Sequence, residues 1–124
     1  MIFPNRFKDK IVIVTGAAQG IGRGVALRIA AENGQVILAD RSDLVDEVAH
    51  EIMRSGGVAI TVKTDLETFV GAQTVVNQAI EHFGRVDVLI NNVCGAIWMK
   101  PYDAFSEEEI IKEINRSLFP TLWC

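Results

Sequence analysis

The chain has 124 residues, of which 49% are hydrophobic, and a net charge of −4. That is enough apolar material for one domain with a real core, and it excludes a disordered chain. The acidic balance, without any basic block, excludes nucleic acid as a main partner, and no apolar run approaches the ~20 residues that span a bilayer, so no membrane segment is expected. Cys94 and Cys124 do not make a disulfide framework. Free thiols in a reducing compartment, hence a cytoplasmic location, are the expectation, and the first residues carry no signal-peptide pattern.

Residues 1–9 read as an irregular lead-in. The run Ile11-Val12-Ile13-Val14 marks a first strand over residues 10–15. Thr15-Gly16-Ala17-Ala18-Gln19-Gly20-Ile21-Gly22 then opens a helix expected over residues 20–33, with Val25, Leu27, Ile29 and Ala30 as apolar positions and Gly34 as its C′ residue. A second strand is expected over 35–39, ending at Asp40. Ser42 is placed to cap a helix in which Leu44, Val45, Val48, Ala49, Ile52 and Met53 recur at helical spacing, stopped by Gly56-Gly57. A third strand follows over 58–63. Thr68 can cap a third helix presenting Ala72, Val75, Val76, Ala79, Ile80 and Phe83, with Gly84 past its end. A fourth strand over 86–90 runs into Asn91-Asn92. Beyond a loop containing Pro101, Ser106-Glu107-Glu108-Glu109 forms a capping box for a last helix with Ile110, Ile111, Ile114 and Leu118 on its apolar side. Pro120 should kink or end that helix. The order βαβαβαβα, with nearly all-apolar strands, implies an α/β fold. Its parallel sheet would be Rossmann-like and doubly wound, covered on both faces and joined by right-handed crossovers.

Strand, glycine-rich turn and helix together make a phosphate-cradling unit. Gly16 suits a tight turn, Gly20 a close approach of a pyrophosphate, and Gly22 packing of the helix on the sheet. Helix N–H groups of the first turn would face the anion. The spacing is G-x-x-x-G-x-G, and no Gly-Lys-Ser/Thr follows, so this is not a P-loop. Asp40, at the carboxyl end of the second strand, can accept hydrogen bonds from both ribose hydroxyls of an adenosine and would repel a 2′-phosphate, which favours NAD over NADP. Arg41 beside it pulls the other way. Asp65 can meet the adenine amino group, with the Leu66 N–H nearby, though a turn or cap role is equally open. Asn91 and Asn92 can line a ligand or tie strand ends together. Asn115 lies inside the last helix, where asparagine is a poor helix former. His50 and His82 have no partners at ligand spacing, so no metal site is expected. Cys94 has no histidine arranged to activate it.

These residues together resemble the classical short-chain dehydrogenase/reductase family. Thr15-Gly16-x-x-x-Gly20-x-Gly22 matches its cofactor motif, Asp40 its NAD-selecting acid and Asp65 its adenine-contacting aspartate. Asn91-Asn92-Val93-Cys94-Gly95 is similar to its Asn-Asn-Ala-Gly motif but departs from it at Val93 and Cys94. Asn115 falls where the family places the asparagine of its catalytic tetrad. The resemblance implies NAD as cofactor and a catalytic role for Asn115. It also implies a cofactor-binding set of Thr15, Gly16, Gln19, Gly20, Ile21, Gly22, Asp40, Arg41, Asp65, Leu66, Asn91, Asn92 and Val93. A homo-oligomeric parent protein is implied as well. A narrower likeness, carried by residues 17–28, 37–44 and 116–124, is to the branch that oxidises a benzoate-derived cis-diol carboxylate. It implies a small non-aromatic cis-diol substrate, oxidised by NAD with loss of CO2 to give a catechol.

The family's serine and Tyr-x-x-x-Lys have no match here, since Tyr102 is followed four residues later by Ser106. With the apolar ending 118–124, the expectation is that residues 1–124 form the N-terminal, cofactor-binding half of a larger single domain and do not oxidise an alcohol alone. Two alternatives stand beside this reading. One is a dehydrogenase for a different alcohol, the other a non-catalytic NAD-binding remnant.

Overall fold

The computed structural model describes residues 1–124. Nine elements follow one another: β1 (Ile11–Thr15), α1 (Gly20–Ala31), β2 (Gln35–Asp40), α2 (Leu44–Arg54), β3 (Val58–Lys63), α3 (Phe69–Phe83), β4 (Val88–Ile90), α4 (Glu107–Ser117) and α5 (Phe119–Trp123). A 3-10 turn over Tyr102–Ala104 precedes α4. The four strands form one parallel sheet in the order β3-β2-β1-β4. The chain therefore winds outward from β1 to β3, then crosses back to the other side of β1. Strand order reverses between β1 and β4, and a crevice opens at their carboxyl ends.

Alternate residues of the central strands feed two apolar layers. Val12, Val14, Val36 and Leu38 pack with Ala26 and Ile29 of α1 and Val45, Val48 and Ile52 of α2. Ile11, Ile13, Ile37 and Ala39 pack on the other face with Ala72, Val75 and Ala79 of α3. All five residues of β1 are buried, which is why that strand reads as an unbroken apolar run. Each fully buried Val, Leu or Ile here contributes roughly 1.5–3 kcal/mol of transfer free energy.

The helix ends differ from expectation in instructive ways. α1 stops at Ala31, and the left-handed residue is Asn33 (φ 66°), not Gly34. Gly34 N–H donates to the Ile29 carbonyl at 3.0 Å, and Asn33 N–H to that of Ala30 at 3.0 Å. That pairing is a Schellman motif, with asparagine as the tolerated left-handed residue. Position 34 is small for another reason: a Cβ there would sit 2.5 Å from Ile29 Cγ2. α2 begins one residue later than the Ser42 cap implies, although Ser42 Oγ does accept from Leu44 N–H at 3.3 Å. Leu44 and Met53 stay about half exposed, so the buried face is narrower than the periodicity suggested. Thr68 and Ser106 cap α3 and α4 as expected, the latter with a complete capping box. Pro120 breaks the helix where expected: α4 ends at Ser117, and the proline lies in the first turn of α5, where no donor is needed.

β4 spans only Val88–Ile90, shorter than the expected 86–90. Asp87 replaces the ladder with its side chain. Its carboxylate accepts from Ile11 N–H at 2.8 Å, and its own N–H donates to the Ile11 carbonyl at 2.9 Å. The Ile11 N–H and the Arg85 guanidinium hold the Asp87 carboxyl below the usual carboxylate range.

The lead-in is tied down by Glu32, which is fully buried. Its carboxylate accepts from Phe3 N–H at 3.0 Å and from Arg28 Nε at 2.6 Å, and it pairs with Arg6. Burial alone would raise its pKa, but those bonds outweigh it and bring it down to about 2. No helix is long and apolar enough to cross a membrane.

Candidate functional site

At the carboxyl ends of β1 and β4, Thr15 acts as a joint. Its buried hydroxyl donates to the Ile90 carbonyl at 3.2 Å and accepts from the N–H groups of Asn92 at 2.8 Å and Val93 at 3.2 Å. Asn92 returns the connection, its amide donating to the carbonyls of Thr15 at 3.1 Å and Gly16 at 3.2 Å. The open alternative for the asparagine pair resolves in part: Asn92 ties strand ends together, while Asn91 is exposed.

The turn after β1 is shaped around that joint. Gly16 takes a left-handed φ of 64°, and a Cβ on it would lie 2.8 Å from Asn92 Nδ2. A Cβ on Gly22 would fall on the Gly16 carbonyl oxygen and 2.6 Å from Asn92 Nδ2. The glycine at 22 thus lets α1 approach the residues that follow β1 and β4. Around Gly20 nothing lies within 4 Å of the same point, so that side of the turn is open.

The N-terminus of α1 differs from those of α3 and α4. Gln19 makes no side-chain cap, where Thr68 and Ser106 do, and the first turn of α1, like that of α3, contains no acid. The N–H groups at this end, beside the 78% exposed Ile21, keep their affinity for an anion.

Asp40 links β2 to the turn. Its Oδ2 accepts from Ala18 N–H and its Oδ1 from Ser42 N–H, each at 3.0 Å. A carboxylate has about four acceptor positions, so two remain for a ligand. Asp65 holds its own turn, with Oδ1 accepting from Glu67 N–H at 2.9 Å, and its side chain is exposed. Leu66 is buried against the sheet.

A cleft of about 220 Å³ joins these groups, lined by Gly16, Gln19, Asp40, Arg41, Thr64, Asp65, Leu66, Glu67, Asn92, Val93, Cys94 and Arg116. Eight of the residues expected from sequence are in this lining. Thr15 lies beneath it as scaffold. Gly20, Ile21, Gly22 and Asn91 are outside the lining, and so is Asn115, half-buried on α4. Thr64, Glu67 and Arg116 carry no local signal in the sequence, and Cys94 lines the cleft as part of the Asn91–Gly95 motif. Glu67 Oε1 stands 3.7 Å from Arg41 Nη1 and 4.0 Å from Arg116 Nη1, bridging two walls of the cleft.

Arg116 reaches the cleft because α4 is clamped to the loop after β4. Glu113 accepts from the N–H groups of Ile97 at 2.8 Å and Trp98 at 2.9 Å, and Ser117 Oγ donates to the Gly95 carbonyl at 3.4 Å. Lys100 bonds both Glu109 oxygens, at 2.7 and 2.6 Å, and lies 4.8 Å from the Phe105 ring centroid. The Lys100 bonds, then the Ser106 N–H, bring the Glu109 carboxyl down to about 2. No group of three or more His, Cys, Asp or Glu side chains is placed to hold a metal.

A family model described as short chain dehydrogenase matches residues 10–124. The chain is 69% identical to a 1,6-dihydroxycyclohexa-2,4-diene-1-carboxylate dehydrogenase of Acinetobacter baylyi, over 96% of this chain and 46% of that protein. It is 54% identical to a protein of the same name from Pseudomonas putida, over 96% of this chain and 44% of that one. Among solved structures, a short chain dehydrogenase from Mycobacterium smegmatis is similar with a TM-score of 0.92 at 27% identity, covering 99% of this chain and 52% of that one. A hydroxysteroid dehydrogenase from Escherichia coli gives a TM-score of 0.88 at 28% identity, covering 95% and 50%. The chain therefore spans less than half the length of these two curated relatives.

Proposed function

The chain belongs to the short chain dehydrogenase family, and from that premise we propose that residues 1–124 are the N-terminal, cofactor-binding part of an NAD-dependent dehydrogenase. Its proposed substrate is 1,6-dihydroxycyclohexa-2,4-diene-1-carboxylate, the compound in the names of the relatives at 69% and 54% identity. The observation that carries the cofactor reading is the cleft that joins the glycine turn to Asp40 and Asp65 at the switch point of the sheet.

The residues fit a dinucleotide. The turn is open at Gly20, the adjoining helix end has no side-chain cap, and Asp40 retains acceptor capacity. In this reading Gly16, Gln19, Gly20 and Ile21 hold the pyrophosphate on a turn shaped by Thr15 and Gly22, Asp40 and Arg41 the adenosine ribose, and Asp65 and Leu66 the adenine. Asn91, Asn92 and Val93 support the nicotinamide end, and Asn115 takes the family's asparagine role of orienting a proton relay. When bound, NAD supplies the hydride acceptor. The substrate's secondary alcohol loses a hydride from carbon and a proton from oxygen. The resulting ketone is β to the carboxylate, so CO2 leaves, its electron pair passes into the ring, a proton returns and a catechol remains.

These 124 residues contain no Tyr-x-x-x-Lys and span 46% and 44% of the two relatives, and in this reading the family's proton-abstracting tyrosine belongs to the remainder of the parent protein. The parent is proposed to be a cytoplasmic homo-oligomer. The test is to incubate the gene product carrying these residues with the cis-diol carboxylate and NAD. Reduced nicotinamide, catechol and CO2 in equal amounts support the proposal. Turnover of a different alcohol alone would replace it with the second dehydrogenase reading, and NAD binding with no turnover of any alcohol would leave a binding module.

A further inference from the structure

Asp40 lines the cleft with a cation beside it. Each of its oxygens already accepts a backbone N–H, from Ala18 and from Ser42, which disperses part of its charge. Beside it stands Arg41, a fixed cation able to receive a phosphate. Arg116 enters the same cleft from α4, so two guanidiniums line it. Between them stands Glu67. Its carboxylate is about one-third exposed, 3.7 Å from Arg41 and 4.0 Å from Arg116. The backbone fixes its origin, because Glu67 N–H is held by Asp65 Oδ1 at 2.9 Å and α3 starts just beyond at its Thr68 cap.

We propose that Glu67 determines cofactor specificity by occupying the anion-binding pair formed by Arg41 and Arg116, so that the cleft rejects nucleotides carrying a 2′-phosphate. The inference rests on the reading of this cleft as an adenosine site. A ribose with free hydroxyls meets no penalty from Glu67. A 2′-phosphate, with a charge of about −1.5 to −2, must displace the carboxylate from both arginines and stay near two negative groups. Glu67 thereby cancels the attraction that Arg41 would otherwise exert, and the sequence-level conflict between Asp40 and Arg41 disappears.

The test is calorimetric titration of the gene product with 5′-AMP, adenosine 2′,5′-bisphosphate and NAD, for the natural protein and two variants. Glu67→Gln should tighten bisphosphate binding by about tenfold or more, since both guanidiniums lose their carboxylate neighbour and become available to the ligand, and should change 5′-AMP binding by less than about threefold. Replacing Arg41 and Arg116 by alanine in the Glu67→Gln background should remove the gain. An unchanged bisphosphate-to-AMP ratio in Glu67→Gln, or a gain that survives loss of both arginines, overturns the proposal. A natural protein that binds neither 5′-AMP nor NAD overturns the cofactor reading and with it the role of Glu67, whereas NAD binding with an unchanged bisphosphate-to-AMP ratio overturns the role of Glu67 alone. Binding of no nucleotide to any variant overturns both.

Discussion

The hydroxyl of Thr15 serves three backbone groups at the junction of β1 and β4. Thr15→Val keeps the shape but leaves the N–H groups of Asn92 and Val93 without a partner. It should cost about 1–3 kcal/mol in urea unfolding, and a variant as stable as the natural protein would contradict the joint. Glu32 gives a second residue-scale expectation. Its folded pKa of about 2 lies below its ordinary value of 4.5, so its contribution is fully present above pH 4.5 and is lost as pH falls through about 2. The stability difference between the natural protein and Glu32→Gln should therefore shrink over that window, while Glu109, unchanged in both, cancels. A pH-independent difference would refute this. Residue-level legibility follows the same division. Gly16 and Asp40 were readable because each acts within a short motif. Glu67, Arg116 and Glu32 were not, because their partners come from elements far apart in the chain and no local spacing records the meeting.

Among elements, the central strands were legible as apolar runs covered on both faces, and the helices wherever one buried face decides them. α3 has its Thr68 cap, a buried series of Ala72, Val75 and Ala79, and Gly84 as its left-handed end. Thr68→Ala should cost ~1 kcal/mol, seen as earlier thermal or urea unfolding; an unchanged midpoint would argue against the cap. Ile37→Ala in β2, fully buried between β1 and β3, should cost ~2–5 kcal/mol by the same measurement. What escaped reading were terminal details set by tertiary packing. Asn33 holds the left-handed position while Gly34 is small to clear Ile29, and Asp87 closes the start of β4 with its side chain. Hydrophobic periodicity does not register either effect.

On the scale of the whole molecule, the order β3-β2-β1-β4 follows from alternating strands and helices, and the sheet reads as expected. β4 pairs on one side only, and its residues are half-buried. Ile111 and Ile114 on α4, Leu118 between the helices and Leu122 on α5 are each 40% exposed or more. An unpaired strand beside such a surface favours association. The isolated 124-residue chain should elute from a sizing column as multimers or aggregates; a monodisperse monomer would contradict this. NAD is proposed to bind in the cleft between the glycine turn, Asp40 and Asp65. Calorimetric titration of NAD into the gene product, with and without Asp40→Ala, tests it most directly. Saturable binding that weakens by about tenfold or more in Asp40→Ala is the predicted result, from lost hydrogen bonds to a charged acceptor. No binding, or equal binding by both proteins, would contradict the account.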